Sequence, residues 1–128
     1  MKKGLRKRHT IVMKESGVLL AVAEYLDLRE HQGDLVWSLT DPASKDPKER
    51  GRRVRKGWAD ITVCVRGGCF LGIELKRPGK SRTTPEQLRF RELIQRLGGV
   101  AVECRTVSEV RAAVEEALKR GHNRVYGG

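Results

Sequence analysis

The run Phe70-Leu71-Gly72-Ile73-Glu74-Leu75-Lys76 constrains this chain more than any other segment. In an extended strand, successive side chains point to opposite faces. Leu71, Ile73 and Leu75 then form one apolar stripe, and Gly72, Glu74 and Lys76 share the other face. Such a strand needs a core on one side and brings a carboxylate and an ammonium into the same space on the other. Trp58 to Val65 is a second β-rich run, and Arg66-Gly67-Gly68-Cys69 between the two suits a hairpin. Pairing of the two runs brings Asp60 towards Glu74.

The rest of the chain supplies what must cover this hairpin. Val18, Leu19, Val22 and Leu26 recur with helical spacing, which predicts a helix from about Thr10 to Arg29. Asp34 to Leu39 reads as a short strand. Thr84-Pro85-Glu86-Gln87 carries threonine at the N-cap, proline at N1 and glutamine at N3, the signature of a capped helix start. That helix is expected to run to Leu97 and stop at Gly98-Gly99. Val100 to Cys104 is a further strand. Thr106-Val107-Ser108-Glu109 repeats the capping pattern and opens a last helix, expected to end at Gly121. The order α-β-β-β-α-β-α gives an α/β class with a mixed sheet flanked by helices.

Length and charge narrow the function classes. A chain of 128 residues fits a single domain spanning 1–128. No apolar run approaches the ~18 residues needed to cross a bilayer. The N-terminal segment is basic without a following small-residue cleavage site, which argues against a secretory signal. Three cysteines, Cys64, Cys69 and Cys104, are odd in number and form no CxxC pair, so they read as reduced core residues of an intracellular protein. The net charge is +11, which favours a polyanionic partner. It concentrates in an arm over residues 1–9 (Lys2, Lys3, Arg6, Lys7 and Arg8) and in a polar connection over 40–57. That connection holds Lys48, Arg50, Arg52, Arg53, Arg55 and Lys56. Neither stretch has an apolar period, and both suit phosphate contacts that read no sequence. A helix-turn-helix or zinc-finger pattern is absent, which argues against a sequence-reading transcription factor.

The candidate chemistry gathers on the hairpin. Asp60 and Glu74 are two carboxylates that do not easily ionise side by side, a natural cation site, and oxygen ligands favour magnesium or manganese. Lys76, beside them, would orient an attacking water or stabilise developing negative charge. Glu-x-Lys alone is a common surface ion pair on a solvated sheet face; it is Asp60 and the basic segments that give it weight. At 100° per residue, Glu15 lies within roughly 20–60° of Val18, Leu19, Val22 and Leu26, whereas Glu24 lies about 180° away from that stripe. A carboxylate on a packing face is costly unless paired or metal-bound, so Glu15 is a candidate for a further metal or water ligand. A first-turn acid favoured by the helix dipole is the alternative. Gln87 already has a capping task. Trp37 and Trp58 read as packing residues, and His9, His31 and His122 share no ligand spacing.

Gly57-Trp58-Ala59-Asp60, then Ile73-Glu74-Leu75-Lys76-Arg77-Pro78-Gly79, then Thr84-Pro85-Glu86-Gln87 resemble the PD-(D/E)XK nuclease superfamily. Within it they are most similar to the stand-alone VRR-NUC domains of phages and bacteria. Lys14-Glu15-Ser16 and Glu24-Tyr25-Leu26 resemble that family's first helix. The resemblance spans roughly Glu15 to Arg105, with Trp58-Ala59 where relatives more often have Val/Ile-Pro. It implies a restriction-endonuclease-like core and a metal-dependent phosphodiester hydrolase. Asp60, Glu74 and Glu15 would be the acidic ligands, the backbone carbonyl of Leu75 would complete the site, and Lys76 would assist the water. Gln87 would be the family's helix glutamine beside the active site.

The expected cofactor is Mg²⁺, with Mn²⁺ able to substitute. The expected partners are DNA, duplex or branched (Holliday junctions included), and a second copy of the chain in a homodimer. No membrane and no organic cofactor are expected, and the setting is the cytoplasm of a bacterium or of a phage's host. Two alternatives stay open: a nicking or end-processing DNase or RNase with the same active site, and a nucleic-acid-binding module without activity.

Overall fold

A computed structural model of the chain describes residues 17–40, 54–77 and 82–127. Its elements are α1 (Gly17–His31), β1 (Leu35–Leu39), β2 (Ile61–Val65), β3 (Phe70–Leu75), α2 (Pro85–Arg96), β4 (Val100–Cys104) and α3 (Val107–Tyr126). The order is the expected one. The four strands form one mixed sheet in the order β1-β2-β3-β4. β1/β2 and β2/β3 pair antiparallel, and β3/β4 pair parallel. The parallel pair requires a crossover, and α2 supplies it.

Alternation along the strands decides which helix covers which face. Ile61, Val63, Leu71 and Ile73 are fully buried in one cluster with Val22 and Leu26 of α1 and with Val110 and Val114 of α3. The opposite face, carrying Gly72 and Glu74, lies under α2. There Trp58, Phe70 and Phe90 form an aromatic trio with ring centroids 4.8–6.4 Å apart. The face of Glu74 and Lys76 is therefore not a solvated one, and their pairing is not a surface ion pair: both residues are buried, 4% and 9% exposed.

Both predicted helix starts are present. Thr84 Oγ1 accepts from the Gln87 backbone N–H at 3.1 Å, and Gln87 Oε1 accepts from the Thr84 N–H at 3.0 Å. Thr106 and Glu109 make the same reciprocal pair. The last helix, however, does not stop at Gly121. It continues to Tyr126, and Gly127 takes the left-handed cap conformation. Gly121 is small for another reason: a Cβ there would stand 2.3 Å from the Arg66 carbonyl oxygen, and a Cβ on Gly67 would stand 2.3 Å from the Gly121 carbonyl carbon. The pair lets α3 rest directly on the β2–β3 turn.

Other expectations are adjusted at their edges. The first helix is described from Gly17 and extends to His31, while residues 10–16 of its expected span lie outside the described residues. Val18 is more exposed than an apolar-stripe residue should be, whereas Val22 and Leu26 are fully buried and Glu24 is exposed, as helix geometry requires. The strand expected from Trp58 begins only at Ile61, because Gly57 turns the chain and Trp58-Ala59-Asp60 packs in irregular backbone. Trp37 is core, 3% exposed. Of the cysteines, Cys69 and Cys104 are buried as expected, but Cys64 is exposed, since it falls on the β2 face that no described helix covers. Among the described residues no helix is long and apolar enough to cross a membrane.

Candidate active site

The site forms where β2 enters the sheet and β3 leaves it. Ile61 pairs with Ile73, so the next step of the antiparallel register brings Asp60 beside Glu74. Two contacts from the chain after β1 hold Asp60 there: the Thr40 N–H donates to the Asp60 carbonyl at 2.8 Å, and Thr40 Oγ1 donates to the Ala59 carbonyl at 2.6 Å. Gly57, with φ +89°, turns the chain tightly against α2; a Cβ there would lie 2.4 Å from the Glu86 carbonyl oxygen. This position favours glycine on both backbone and steric grounds.

Asp60 Oδ2 accepts the Leu75 backbone N–H at 2.9 Å. A residue's N–H and C=O point to the same side of an extended strand, so the Leu75 carbonyl also faces the Asp60 side of β3. Glu74, two residues before Lys76 on the same face, accepts from Gln87 Nε2 at 2.8 Å through Oε1. Lys76 Nζ donates to Gln87 Oε1 at 3.3 Å and to the Arg82 carbonyl at 3.5 Å. Its backbone N–H donates to the Cys104 carbonyl at 2.9 Å, carrying the parallel register one step past β3.

Gln87 is thus both a cap and a clasp. Its amide oxygen takes the Thr84 N–H and the Lys76 ammonium, and its amide nitrogen serves the Glu74 carboxylate. An amide offers one acceptor oxygen and one donor nitrogen, and the orientation that caps the helix is the one that serves both charged neighbours. A neutral group holding two buried charges fixes their positions without neutralising either.

Asp60, Glu74, Leu75, Lys76 and Gln87 are therefore brought together. Glu15 lies outside the described residues, as do Lys2, Lys3, Arg6, Lys7, Arg8, Arg50, Arg52 and Arg53. Of the expected nucleic-acid contacts, Arg55 and Lys56 are described and exposed. Lys56 Nζ is 4.0 Å from Glu86 Oε2, in the first turn of the helix that carries Gln87. Among the described residues, no group of three or more His, Cys, Asp or Glu side chains is arranged to hold a metal. Two carboxylates with a backbone carbonyl nevertheless form a donor set that suits magnesium. That ion is held through one or two carboxylates and keeps several waters.

Sequence reasoning missed three polar residues. Asp27 is 2% exposed and accepts from Trp37 Nε1 at 2.8 Å; at 100° per residue it falls about 40° from Ala23, inside the buried stripe. Glu103 and Arg91 also escaped notice. Glu103 is the register partner of Glu74 on β4, and Arg91 stands one turn after Gln87 on α2. The Cys104 thiol is pushed up to about 12, by burial first and then by the Glu109 and Glu103 carboxylates, so it is no nucleophile at neutral pH.

No family model and no curated protein matches the sequence. Among solved structures, one described as a VRR_NUC domain protein is similar, with a TM-score of 0.50 and 29% sequence identity over 66% of this chain and 69% of that chain. This likeness agrees with the mixed sheet and the element order described above. The likeness supports a VRR-NUC domain assignment, a nuclease-type domain on a restriction-endonuclease-like core.

Proposed function

We propose that this chain is a magnesium-dependent DNA endonuclease that prefers branched DNA, Holliday junctions among them, and acts as a homodimer. The observation that carries the chemistry is the Gln87 clasp, which holds the buried Glu74 carboxylate and the Lys76 ammonium beside Asp60. A carboxylate and an ammonium buried this deeply, and gathered on one side-chain amide beside a second carboxylate, favour catalysis over packing. Preference for branched DNA and the dimer rest on the family resemblance; cutting two opposing strands suits a symmetric pair of sites.

Asp60, Glu74 and the Leu75 carbonyl would hold the ion, with Glu15 as a further ligand. Bound there, it supplies Lewis-acid polarisation of a phosphate oxygen. Lys76 orients the attacking water and stabilises negative charge as it develops on the phosphate. Gln87 keeps Glu74 and Lys76 in register through that change. Lys56 and Arg55, exposed at the edge of the site, draw the phosphate backbone towards it, together with the arm residues and Arg50, Arg52 and Arg53.

The test is a cleavage panel of single-stranded, duplex, flap and four-way-junction DNA, with magnesium or manganese. D60N and E74A should each lower metal-dependent cleavage by more than about 10²-fold, while binding to the same DNA stays within a few-fold. Unchanged cleavage in either variant would refute the active-site assignment. Equal rates on duplex and junction would refute the branched preference alone.

A further inference from the structure

Glu74 and Glu103 are register partners on the parallel strands β3 and β4, so both side chains rise from the same face of the sheet, under α2. Glu103 therefore stands as a third carboxylate next to the pair assigned to the cation. Its side chain is 27% exposed, and two guanidinium groups flank it. Arg91 Nη2 is 3.6 Å from Glu103 Oε1, and Arg105 Nη2 is 3.9 Å from Glu103 Oε2. The two flanks are unequal. Arg105 is half exposed and its attraction is screened by water. Arg91 is mostly buried, and its Nε and Nη2 are buried without a hydrogen bond among the described residues. Glu103 is the carboxylate that balances its charge.

Helix α2 makes the arrangement a matched pair. Gln87 and Arg91 are four residues apart and so lie on one face of the helix. Gln87 reaches Glu74, and Arg91 reaches the neighbouring Glu103. A neutral amide serves the carboxylate that must stay available to a cation. A permanent cation engages the carboxylate beside it.

We infer that Arg91 is a positioning residue that holds Glu103 away from the Asp60–Glu74 cation site. It thereby keeps a third carboxylate out of a coordination shell that must leave room for water and a phosphate oxygen. The inference rests on the metal site proposed above. Without Arg91, Glu103 turns towards Glu74, the local negative charge grows, and the cation is held more tightly and less productively.

The experiment is calorimetric titration of the full chain with Mn²⁺ in the absence of nucleic acid, on the wild type, D60N, R91M, R91K, E103Q and R91M/E103Q. R91M should tighten Mn²⁺ binding on the order of tenfold, as expected for gaining a carboxylate near the ion. R91K, which keeps the charge, should stay near the wild-type value. In the E103Q background R91M should change the affinity by less than about twofold, because the capturing group is gone; this coupling is what a double-mutant cycle isolates. Cleavage by R91M should fall although its metal binding rises. Equal tightening in both backgrounds would overturn the inference in favour of through-space charge alone, and no tightening would overturn it in favour of simple packing. Should R91M not fold by circular dichroism, R91Q takes its place in the same cycle. Unweakened Mn²⁺ binding in D60N would instead remove the metal site itself, a failure separable from that of Arg91.

Discussion

The two ends of the sheet handle charge in opposite ways. At the hairpin end, Asp34 is bonded by Arg29 Nε at 2.8 Å and by Arg66, and Arg29 also reaches Glu115 and the Tyr25 hydroxyl, each at 2.9 Å. Each of these four charges meets an opposite charge. The hydrogen bond from Arg29 holds the Asp34 carboxyl below the usual carboxylate range. Burial works against the Arg29 charge, but the Glu115 and Asp34 carboxylates outweigh it and raise its pKa further. At the opposite end, Glu74 and Lys76 are more deeply buried and are held by the amide of Gln87. The first cluster locks α1, β1 and the β2–β3 turn to one another. The second lies at the site proposed above to hold the cation. The first cluster matches opposite charges at close range, whereas the second gathers its charges on the Gln87 amide.

Three substitutions sharpen or break this contrast. D34N leaves Arg29 and Arg66 without their shared carboxylate and should destabilise the fold by about 2–3 kcal/mol. That is below the cost of breaking a fully buried pair, because Arg66 reaches solvent. Urea denaturation at neutral pH measures this, and cleavage at low temperature should be unchanged. The sign with pH is fixed by the lowered pKa of Asp34. Its contribution is present above the unfolded-state value and is lost as pH falls through the folded value. The gap between wild type and D34N should therefore close in acid. A gap that widens in acid would assign the stability to another group.

Q87A tests the other end. Loss of the clasp should lower cleavage about tenfold or more, as for groups that orient a ligand-bearing carboxylate. Loss of half the capping box should lower stability by only about 0.5–1 kcal/mol. Cleavage kinetics and thermal melting on the same samples separate the two, and a large stability loss with full activity would reverse the roles given to the two ends.

G121A is the smallest. Alanine gains about 1 kcal/mol in helix propensity, but its Cβ would meet the Arg66 carbonyl and force α3 off the turn. The net should be a loss of about 1 kcal/mol in urea denaturation, with cleavage unaffected. A stabilised G121A would show that the close contact yields easily.

Much of the site was legible because strand alternation and hairpin pairing are short-range rules. Leu71, Ile73 and Leu75 against Glu74 and Lys76, and Asp60 across from them, follow from a period of two and one turn. The two capping boxes are equally local. Asp27 was within reach of the same helix geometry that separated Glu15 from Glu24, but its partner, Trp37, lies on another element. The contact of Glu103 with Arg91 depends on the parallel register of β3 and β4, which a crossover sets and no local pattern announces. Gly121 was misplaced because a glycine needed for close approach looks, in sequence, like one that ends a helix. Cys64 was misplaced because cysteine is usually buried, while which half of the sheet the described helices leave uncovered is a property of the fold and of no local pattern.

One residue ties the heat tolerance of the reaction to a single helical turn. Gln87 completes the first turn of α2 and clasps Glu74 and Lys76 with the same amide. Helix ends open locally at far lower free energy than the core. When that turn frays, the capping bond and the clasp are lost in one event, while the sheet and its two covering helices remain folded. Turnover on heating should then decline ahead of cooperative melting, and amide exchange at Leu88, whose N–H bonds the Thr84 carbonyl, reports the same opening from the backbone side.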